Sequence, residues 1–340
     1  MSIPESPASS ASFDPSPLTR SPRMRVALAS LAWAAASLCL GLSIWALLGE
    51  SHWTSEVVAD HRFHLGWLCA LAAGMASAVR SWGASAVLFT LTVIHLRVEL
   101  SLSLPTRDVF ASNITLRVAT VTAGWEAQSG AALLDWMDRE QPDLALVGRL
   151  DTELLAAFDE RPDGRLVQLR PAREAWDAET LGSGLWCRNG FDVRSARVVD
   201  GIHDLELVSE GRELRVLGLR APVVSGPESA AQRRSLIATA GALAAEQPEV
   251  VVLAELNGTS YSAAYRGLRQ TGSLRDTRQG FGRQATWTSD LTPFGFVLAT
   301  DHVFIGEAFA CVSREHDDDV LSDHHPVLAE LVWSEGPIER

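Results

Sequence analysis

The sequence contains no lysine, so all 29 of its basic residues are arginines. Acidic residues outnumber them at 42, and the net charge of −13 argues against a surface that coats nucleic acid, because such a surface needs a basic field. Cysteine is also scarce. The four cysteines form neither a C-x-x-C pair nor a ladder with histidine, which argues against a zinc site. A disulfide between Cys187 and Cys311 stays open, because spacing cannot establish it.

Several common catalytic motifs are missing as well. The chain has no G-x-S-x-G stretch, so a serine hydrolase of that type has no support. The glycines at 182–184 and 280–282 match neither a P-loop nor a dinucleotide-binding fingerprint. The chemistry must therefore be sought in polar residues outside these motifs.

The N-terminal third carries the long apolar stretches. Residues 1–25 are rich in Ser, Pro and Ala and predict a disordered tail. Residues 26–104 predict a membrane region, and the first apolar segment, 26–48, is long enough to cross a hydrocarbon core of about 30 Å. A cleaved signal peptide has a shorter core and no further spans behind it. Two further segments near the lower length limit follow, at 63–79 and 81–96, so about three transmembrane helices are expected.

Arginine placement predicts the orientation of these helices. Arg20, Arg23 and Arg25 precede the first segment and Arg80 separates the second from the third, whereas the first loop is mainly acidic. The positive-inside rule then places the N-terminus in the cytoplasm. After three crossings, the large C-terminal region faces outward.

The remaining chain predicts a domain of strands and helices at 111–334. Short runs rich in β-branched residues alternate with a few helical patterns, which is typical of an α/β or α+β domain with two packed sheets. Trp287 is interpreted as a core residue in preference to a base-stacking platform. The predicted helices are 129–140, 229–246 and 262–271, and the predicted strands are 116–121, 142–148, 205–208, 214–219, 250–256, 301–306 and 326–333.

Polar residues at the ends of these strands are the candidates for chemistry. Glu255 and Asn257 follow one apolar run at i, i+2 spacing, so both side chains leave it on one face. A carboxylate and an amide oxygen together suit a hard divalent cation and a phosphate oxygen. Asp301 opens a later strand and Asp323–His324 precede the last one. His324 as a general base needs a carboxylate on its other ring nitrogen, which Asp301 could supply.

At these residues the sequence resembles the endonuclease/exonuclease/phosphatase superfamily, with the DNase I-like fold, and in particular its bacterial membrane-tethered branch. The stretches LRVATVT, PDLALVGRL, TDHVFIG and LSDHHPVLAEL follow in the family's order, and HWTSEVVADHRFHLGW resembles that branch's N-terminal loop. The resemblance implies a four-layer sandwich of two sheets with helices outside, and Mg²⁺-dependent hydrolysis of phosphoesters. It also implies a multi-pass protein of the bacterial inner membrane, with the lipid bilayer as a partner and the C-terminal domain in the periplasm or outside.

Carried over residue by residue, the resemblance is uneven. It implies catalytic roles for Asn257, Asp301, Asp323 and His324, and metal ligation by Glu255 and Asp323. Glu255 stands where the family has Asp, although the charge is kept. Phosphate contacts are implied for Asn257 and for two altered positions, where Thr122 replaces an Asn and Arg220 replaces a His.

Arg149 is the most consequential departure, because it replaces the Glu that is the family's principal Mg²⁺ ligand. It removes an attraction for the metal and adds a repulsion of about 4 kcal/mol per unit charge at 4 Å and an effective dielectric of 20. Arg149 is expected to pair with Glu255 or Asp323 instead. Asp151, two residues on, is a weaker substitute ligand.

Three interpretations stay open. In the first, the metal site is degraded and the domain is weakly active or silent, binding a phosphate-bearing ligand between Arg149 and Arg220. In the second, it is an active phosphodiesterase, nuclease or phosphatase with His324 as base. In the third, it is a structural or partner-binding membrane protein. A phosphodiester substrate fits the second, and nucleic acid as a partner is left open.

Overall fold

The computed structural model describes residues 22–49, 51–104, 111–126, 128–168, 182–289, 296–316 and 320–334. Four helices lie before the predicted domain: α1 (Pro22–Leu47), α2 (Trp53–Asp60), α3 (Arg62–Ala78) and α4 (Trp82–Ser103). The predicted tail at 1–25 lies outside the described residues up to residue 21. Its last four residues are helical, because α1 begins at Pro22, a residue whose fixed φ suits a first helical turn.

One compact unit comprises residues 22–43 and 64–95 of these helices. Its core joins α1, α3 and α4 mainly through small side chains, among them Ala36, Cys39, Cys69, Ala73 and Ala84. Small residues let helix backbones approach closely, and they are common at helix contacts within lipid bilayers. Two described helices, α1 and α4, are long and apolar enough to cross a membrane, whereas α3 has 17 residues. A three-helix membrane bundle therefore stays a prediction.

The second compact unit comprises Ile44–Phe63 and the chain from Leu96 onward. It includes α2, a short helix that the sequence patterns did not predict. The other helices are α5 (Ser129–Glu140), α6 (Thr152–Asp159), α7 (Pro227–Ala244) and α8 (Ala263–Thr271). Asp151 begins α6 by accepting a hydrogen bond from Leu154 N at 2.7 Å. It is therefore an N-cap, and its side chain has a structural partner.

Fourteen described strands complete this unit. They are β1 (Ala111–Thr122), β2 (Leu144–Gly148), β3 (Gly164–Gln168), β4 (Ser183–Arg188), β5 (Asp192–Val199), β6 (Ile202–Ser209), β7 (Arg212–Arg220), β8 (Val250–Glu255), β9 (Arg275–Asp276), β10 (Trp287–Ser289), β11 (Phe296–Leu298), β12 (Asp301–Ile305), β13 (Phe309–His316) and β14 (Val327–Ser334). One six-stranded sheet has the order β13-β14-β1-β2-β4-β3 and the other β5-β6-β7-β8-β12-β9. β10 and β11 form a separate two-stranded antiparallel sheet.

The two large sheets pack face to face and carry helices on their outer faces. Alternation along β8 shows this arrangement: Val251 and Leu253 enter the core between the sheets, while Val252 and Ala254 enter the core under α7 and α8. On the other side, α5 and α6 cover the first sheet. The predicted α/β sandwich of two sheets flanked by helices is confirmed. Cys187 and Cys311 are free thiols, and burial raises the pKa of Cys187 to about 11.

Candidate functional site

Four of the candidate side chains leave the inner faces of the two sheets at the same end. Thr122, Arg220 and Glu255 each close a strand, and Asp301 opens one. Each stands an even number of residues from an inner-face residue of its own strand, for example Glu255 from Leu253 and Asp301 from Val303. Arg220 lies opposite Glu255 where β7 pairs with β8, and Asp301 lies opposite Glu255 where β12 pairs with β8. Strand alternation and register therefore bring these polar groups together where the apolar core ends.

Glu255 is the buried centre of the site. Its carboxylate accepts hydrogen bonds from Arg220 Nε at 2.8 Å, Thr122 Oγ1 at 3.1 Å and Asn257 Nδ2 at 3.0 Å. Its side chain is 2% exposed, whereas that of Arg220 is 28% exposed. A buried carboxylate is stable only when it is paired and hydrogen-bonded, and these three donors meet that need.

Gly148 makes room for this arrangement. A Cβ atom at Gly148 would lie 2.7 Å from Thr122 Oγ1 and 3.3 Å from Glu255 Oε2. Both distances are tighter than ordinary packing allows, so a larger side chain would push the hydroxyl away from the carboxylate. The glycine at the end of β2 thus supports the site from the neighbouring strand.

Arg149 turns into the site and pairs with Asp323. Its two Nη atoms lie 2.5 and 3.2 Å from the two carboxylate oxygens, and Nη1 also donates to Ala123 O at 3.1 Å. Partial burial opposes the charge of Asp323, but the Arg149 guanidinium outweighs it and lowers the pKa of that carboxyl. Arg149 thus forms the expected ion pair with an acidic site residue. Its partner is Asp323, and the pair is bidentate.

His324 and Asp301 form the expected hydrogen bond. His324 Nδ1 lies 2.9 Å from Asp301 Oδ2, and Asp301 also accepts from the hydroxyls of Thr286 and Thr300 at 2.8 and 2.9 Å. Burial disfavours the imidazolium, yet the Asp301, Glu255 and Asp323 carboxylates outweigh it and raise the pKa of His324. The other ring nitrogen, Nε2, lies 3.9 Å from Glu255 Oε1 and faces the centre of the site.

Three residues of the site are of the kinds that ligate a metal ion. Glu255, Asp301 and His324 each offer a ligand atom, and these atoms lie within 4.8 Å of one another, so the described chain has a cluster that could hold a metal ion. The donors are, however, already engaged: Asp301 with His324, and Glu255 with Arg220. Asp323 is held by Arg149. Positive guanidinium groups occupy the carboxylates that a divalent cation would need, so the residues present fit Mg²⁺ poorly.

Two tryptophans of the site were missed or misread in the sequence. Trp287 is half-buried, and its indole Nε1 donates to Asp323 Oδ2 at 3.1 Å, so its interpretation as a core residue was wrong. Trp125 is 73% exposed, and its ring lies 4.3 Å from the Arg149 guanidinium. Neither role has a signal in the sequence, because both depend on where Asp323 and Arg149 lie in space.

No protein-family model matches the sequence, and no curated protein does. Solved structures match the fold. D. rerio TDP2 complexed with a single-strand DNA product is 12% identical with a TM-score of 0.52, and covers 64% of this chain and 99% of its own. The human Nocturnin catalytic domain with a bound sulfate anion is 14% identical with a TM-score of 0.51, and covers 67% and 97%.

Humanized D. rerio TDP2 gives a third match, with 13% identity, a TM-score of 0.51 and coverage of 64% of this chain and 98% of its own. At such identities the likeness concerns the fold. The expected DNase I-like fold is confirmed, and membership of the endonuclease/exonuclease/phosphatase superfamily stays a prediction.

Proposed function

We propose that this chain is a membrane-anchored phosphate-binding protein of the DNase I-like fold whose metal site has been replaced by internal ion pairs. The observation that carries the proposal is the Arg149–Asp323 pair, with Nη–Oδ distances of 2.5 and 3.2 Å. Breaking a buried pair of this kind costs about 3–5 kcal/mol, and less here because the Asp323 side chain is 26% exposed. A divalent ion would have to meet that cost before it could bind.

The site still offers donors to a phosphate. Arg220 uses Nε for Glu255, and with 28% of its side chain exposed it can present its Nη atoms to an anion. His324, with its raised pKa, adds a second donor at Nε2 when it is protonated. Arg149 contributes less, since both of its Nη atoms already donate to Asp323. The ligand is therefore bound by Arg220 and His324 rather than between two arginines.

Isothermal titration calorimetry of the full-length protein in detergent with inorganic phosphate tests whether Arg220 binds phosphate. We expect binding that weakens at least about tenfold in Arg220→Ala, because a charge-assisted hydrogen bond contributes roughly 1.5–3 kcal/mol. Arg194→Ala is the matched control: Arg194 lies on β5, is 65% exposed and pairs only at the surface with Asp192. Absence of phosphate binding by the wild-type protein would refute the proposal.

An active hydrolase is the second candidate, and the intact Asp301–His324 hydrogen bond of 2.9 Å favours it. In that case the purified protein would turn over DNA, RNA or a generic phosphodiester in the presence of Mg²⁺, and His324→Ala would abolish turnover. We expect little hydrolysis, because the carboxylates needed to place the cation are neutralised by arginine.

The membrane part of the proposal is supported by contacts within the second unit. Asp60 of α2 accepts from Thr259 N at 2.8 Å, and Leu102 O of α4 accepts from Gly280 N at 2.8 Å. Both the first interhelical loop and the end of α4 thus contact the domain, so they belong on the same side of a membrane. An even number of crossings must then separate them. If α4 crosses, α3 crosses too, although its 17 residues span only about 26 Å.

Together with the arginine distribution, this parity favours an outward-facing domain in the bacterial inner membrane. An arrangement in which only α1 and α4 cross would put α2 and the domain on opposite sides, where the Asp60–Thr259 hydrogen bond could not form.

A further inference from the structure

Arg233 of α7 is buried in the second unit, although it is charged. Its side chain is 1% exposed, and Nη2 donates to Glu56 Oε2 at 2.9 Å while Nη1 lies 3.3 Å from Asp60 Oδ2. Both carboxylates come from α2, the helix between the first two apolar segments. An unpaired buried charge is strongly unfavourable, so the guanidinium of Arg233 can stay buried only while α2 supplies these carboxylates.

Asp60 also binds the chain that follows β8. Its Oδ1 accepts from Thr259 N at 2.8 Å and from Thr259 Oγ1 at 3.2 Å. Arg233 Nη1 donates to the backbone carbonyl of Asn257 at 2.8 Å. We call Asp60, Arg233 and Thr259 the α2 clamp. It contacts residues 257–259, the segment that follows β8, through these hydrogen bonds.

This segment carries a residue of the site in an unfavourable backbone conformation. Asn257 has φ of 47°, in the left-handed region that non-glycine residues adopt rarely. In this conformation its Nδ2 donates to both Glu255 Oε1 at 3.0 Å and Ala221 O at 2.8 Å. The next residue must be small, since a Cβ at Gly258 would lie 2.9 Å from Arg233 Nη1. The guanidinium of Arg233 therefore packs directly against the backbone of the turn at Asn257 and Gly258.

From these contacts we infer that Asp60 and Arg233 are positioning residues for the phosphate site. The clamp stabilises the left-handed turn at Asn257, and that turn directs the Asn257 amide onto Glu255. The segment between two membrane helices is thus part of the site's support, and the domain at 111–334 lacks a component without it. The inference rests on the proposed function only in using phosphate as a reporter.

The test uses the full-length protein in detergent and two substitutions. Asp60→Asn keeps an oxygen for the Thr259 amide but removes the charge that faces Arg233. Asp60→Ala removes both. Asp138→Asn is the matched control, because Asp138 also pairs with an arginine but is 67% exposed and lies on α5. Hydrogen–deuterium exchange at residues 256–259 and titration with inorganic phosphate are the two readouts.

We expect exchange at these amides to accelerate at least about tenfold in Asp60→Ala and less in Asp60→Asn, and phosphate affinity to fall in the same order. The control should change neither. If Asp60→Ala does not fold, Asp60→Asn still decides the matter. A lower unfolding temperature in Asp60→Asn with unchanged exchange at 256–259 and unchanged phosphate affinity would assign α2 a merely structural role and overturn the inference.

Failure of the proposed function gives a different result. Wild-type protein that binds no phosphate refutes that function, while accelerated exchange at 256–259 in the Asp60 variants would still support positioning of Asn257 by the clamp.

Discussion

Arg149→Glu should convert the ion-paired site into one that binds Mg²⁺. A cation on Asp323 sits about 2.1 Å from its oxygen. The Arg149 Nη1 atom lies 2.5 Å from the same carboxylate, so guanidinium and metal would be at most about 5 Å apart. At an effective dielectric of 20 their repulsion is about 7 kcal/mol, and a carboxylate at this position turns it into an attraction of similar size. Water at the partly exposed Asp323 screens much of this difference.

We therefore expect a gain of at least about 100-fold in Mg²⁺ affinity, equivalent to about 2.7 kcal/mol. The assay is thermal unfolding of the full-length protein with and without MgCl₂. In Arg149→Glu, two adjacent carboxylates lower the unfolding temperature of the metal-free protein, and Mg²⁺ should restore it. Wild-type protein should show no such response.

Arg149→Gln is the matched control, since it removes the positive charge without adding a ligand and experiences the same backbone conformation, with φ of 53°. It should respond to Mg²⁺ much less than Arg149→Glu. Adding Arg220→His and Thr122→Asn to Arg149→Glu restores the family residue at three of the four altered positions and leaves Glu255 in place. This variant should show measurable Mg²⁺ binding with some hydrolysis. Tight Mg²⁺ binding by the wild-type protein, or no gain in Arg149→Glu, would refute the reasoning.

Two further predictions concern topology and pH. A reporter that is active only outside the cytoplasm, fused after Trp333, should be active, and signal from a cytoplasm-only reporter at that point would exclude the three-span arrangement. The second prediction follows from the pKa of His324, which the fold raises above its usual value near 6.5. The stabilisation from its charged form is present in full below the unfolded pKa and is lost as the pH rises through the folded pKa. The difference in unfolding temperature between wild type and His324→Gln should therefore shrink as the pH is raised above about 6.5, and a constant difference would contradict the charge-based account.

Local sequence patterns were sufficient for much of the fold. The helix predicted at 129–140 is α5 with the same bounds, and the strands predicted around 214–219 and 250–256 are β7 and β8. These elements could be predicted because each carries its own apolar periodicity. The edge strands β5 and β13 were not predicted. Their exposed positions interrupt the apolar run, and pairing with β6 and β14 determines them.

The candidate site was only partly accessible in the same way. Glu255 and Asp301 could be identified because a carboxylate at the end of an apolar strand is unusual in the chain itself. The resemblance then indicated that Arg149 departs from the family pattern. The partner of that arginine could not be predicted from the sequence, because Arg149 and Asp323 are 174 residues apart. Arg149 follows β2 and Asp323 precedes β14, so the two residues meet only once β2 and β14 have joined the same sheet.

The role of α2 depended wholly on tertiary structure. In the sequence, Glu56 and Asp60 are ordinary acidic residues of a loop between apolar segments, and such residues are usually solvated. Their partners Arg233 and Thr259 lie more than 170 residues away, and nothing local distinguishes a solvated carboxylate from one that a distant arginine will bury. The order of residues alone determined which segments are apolar and which strand ends are charged. The pairing of those charges was decided by folding, because a buried charge is stable only beside the opposite charge that the fold brings to it.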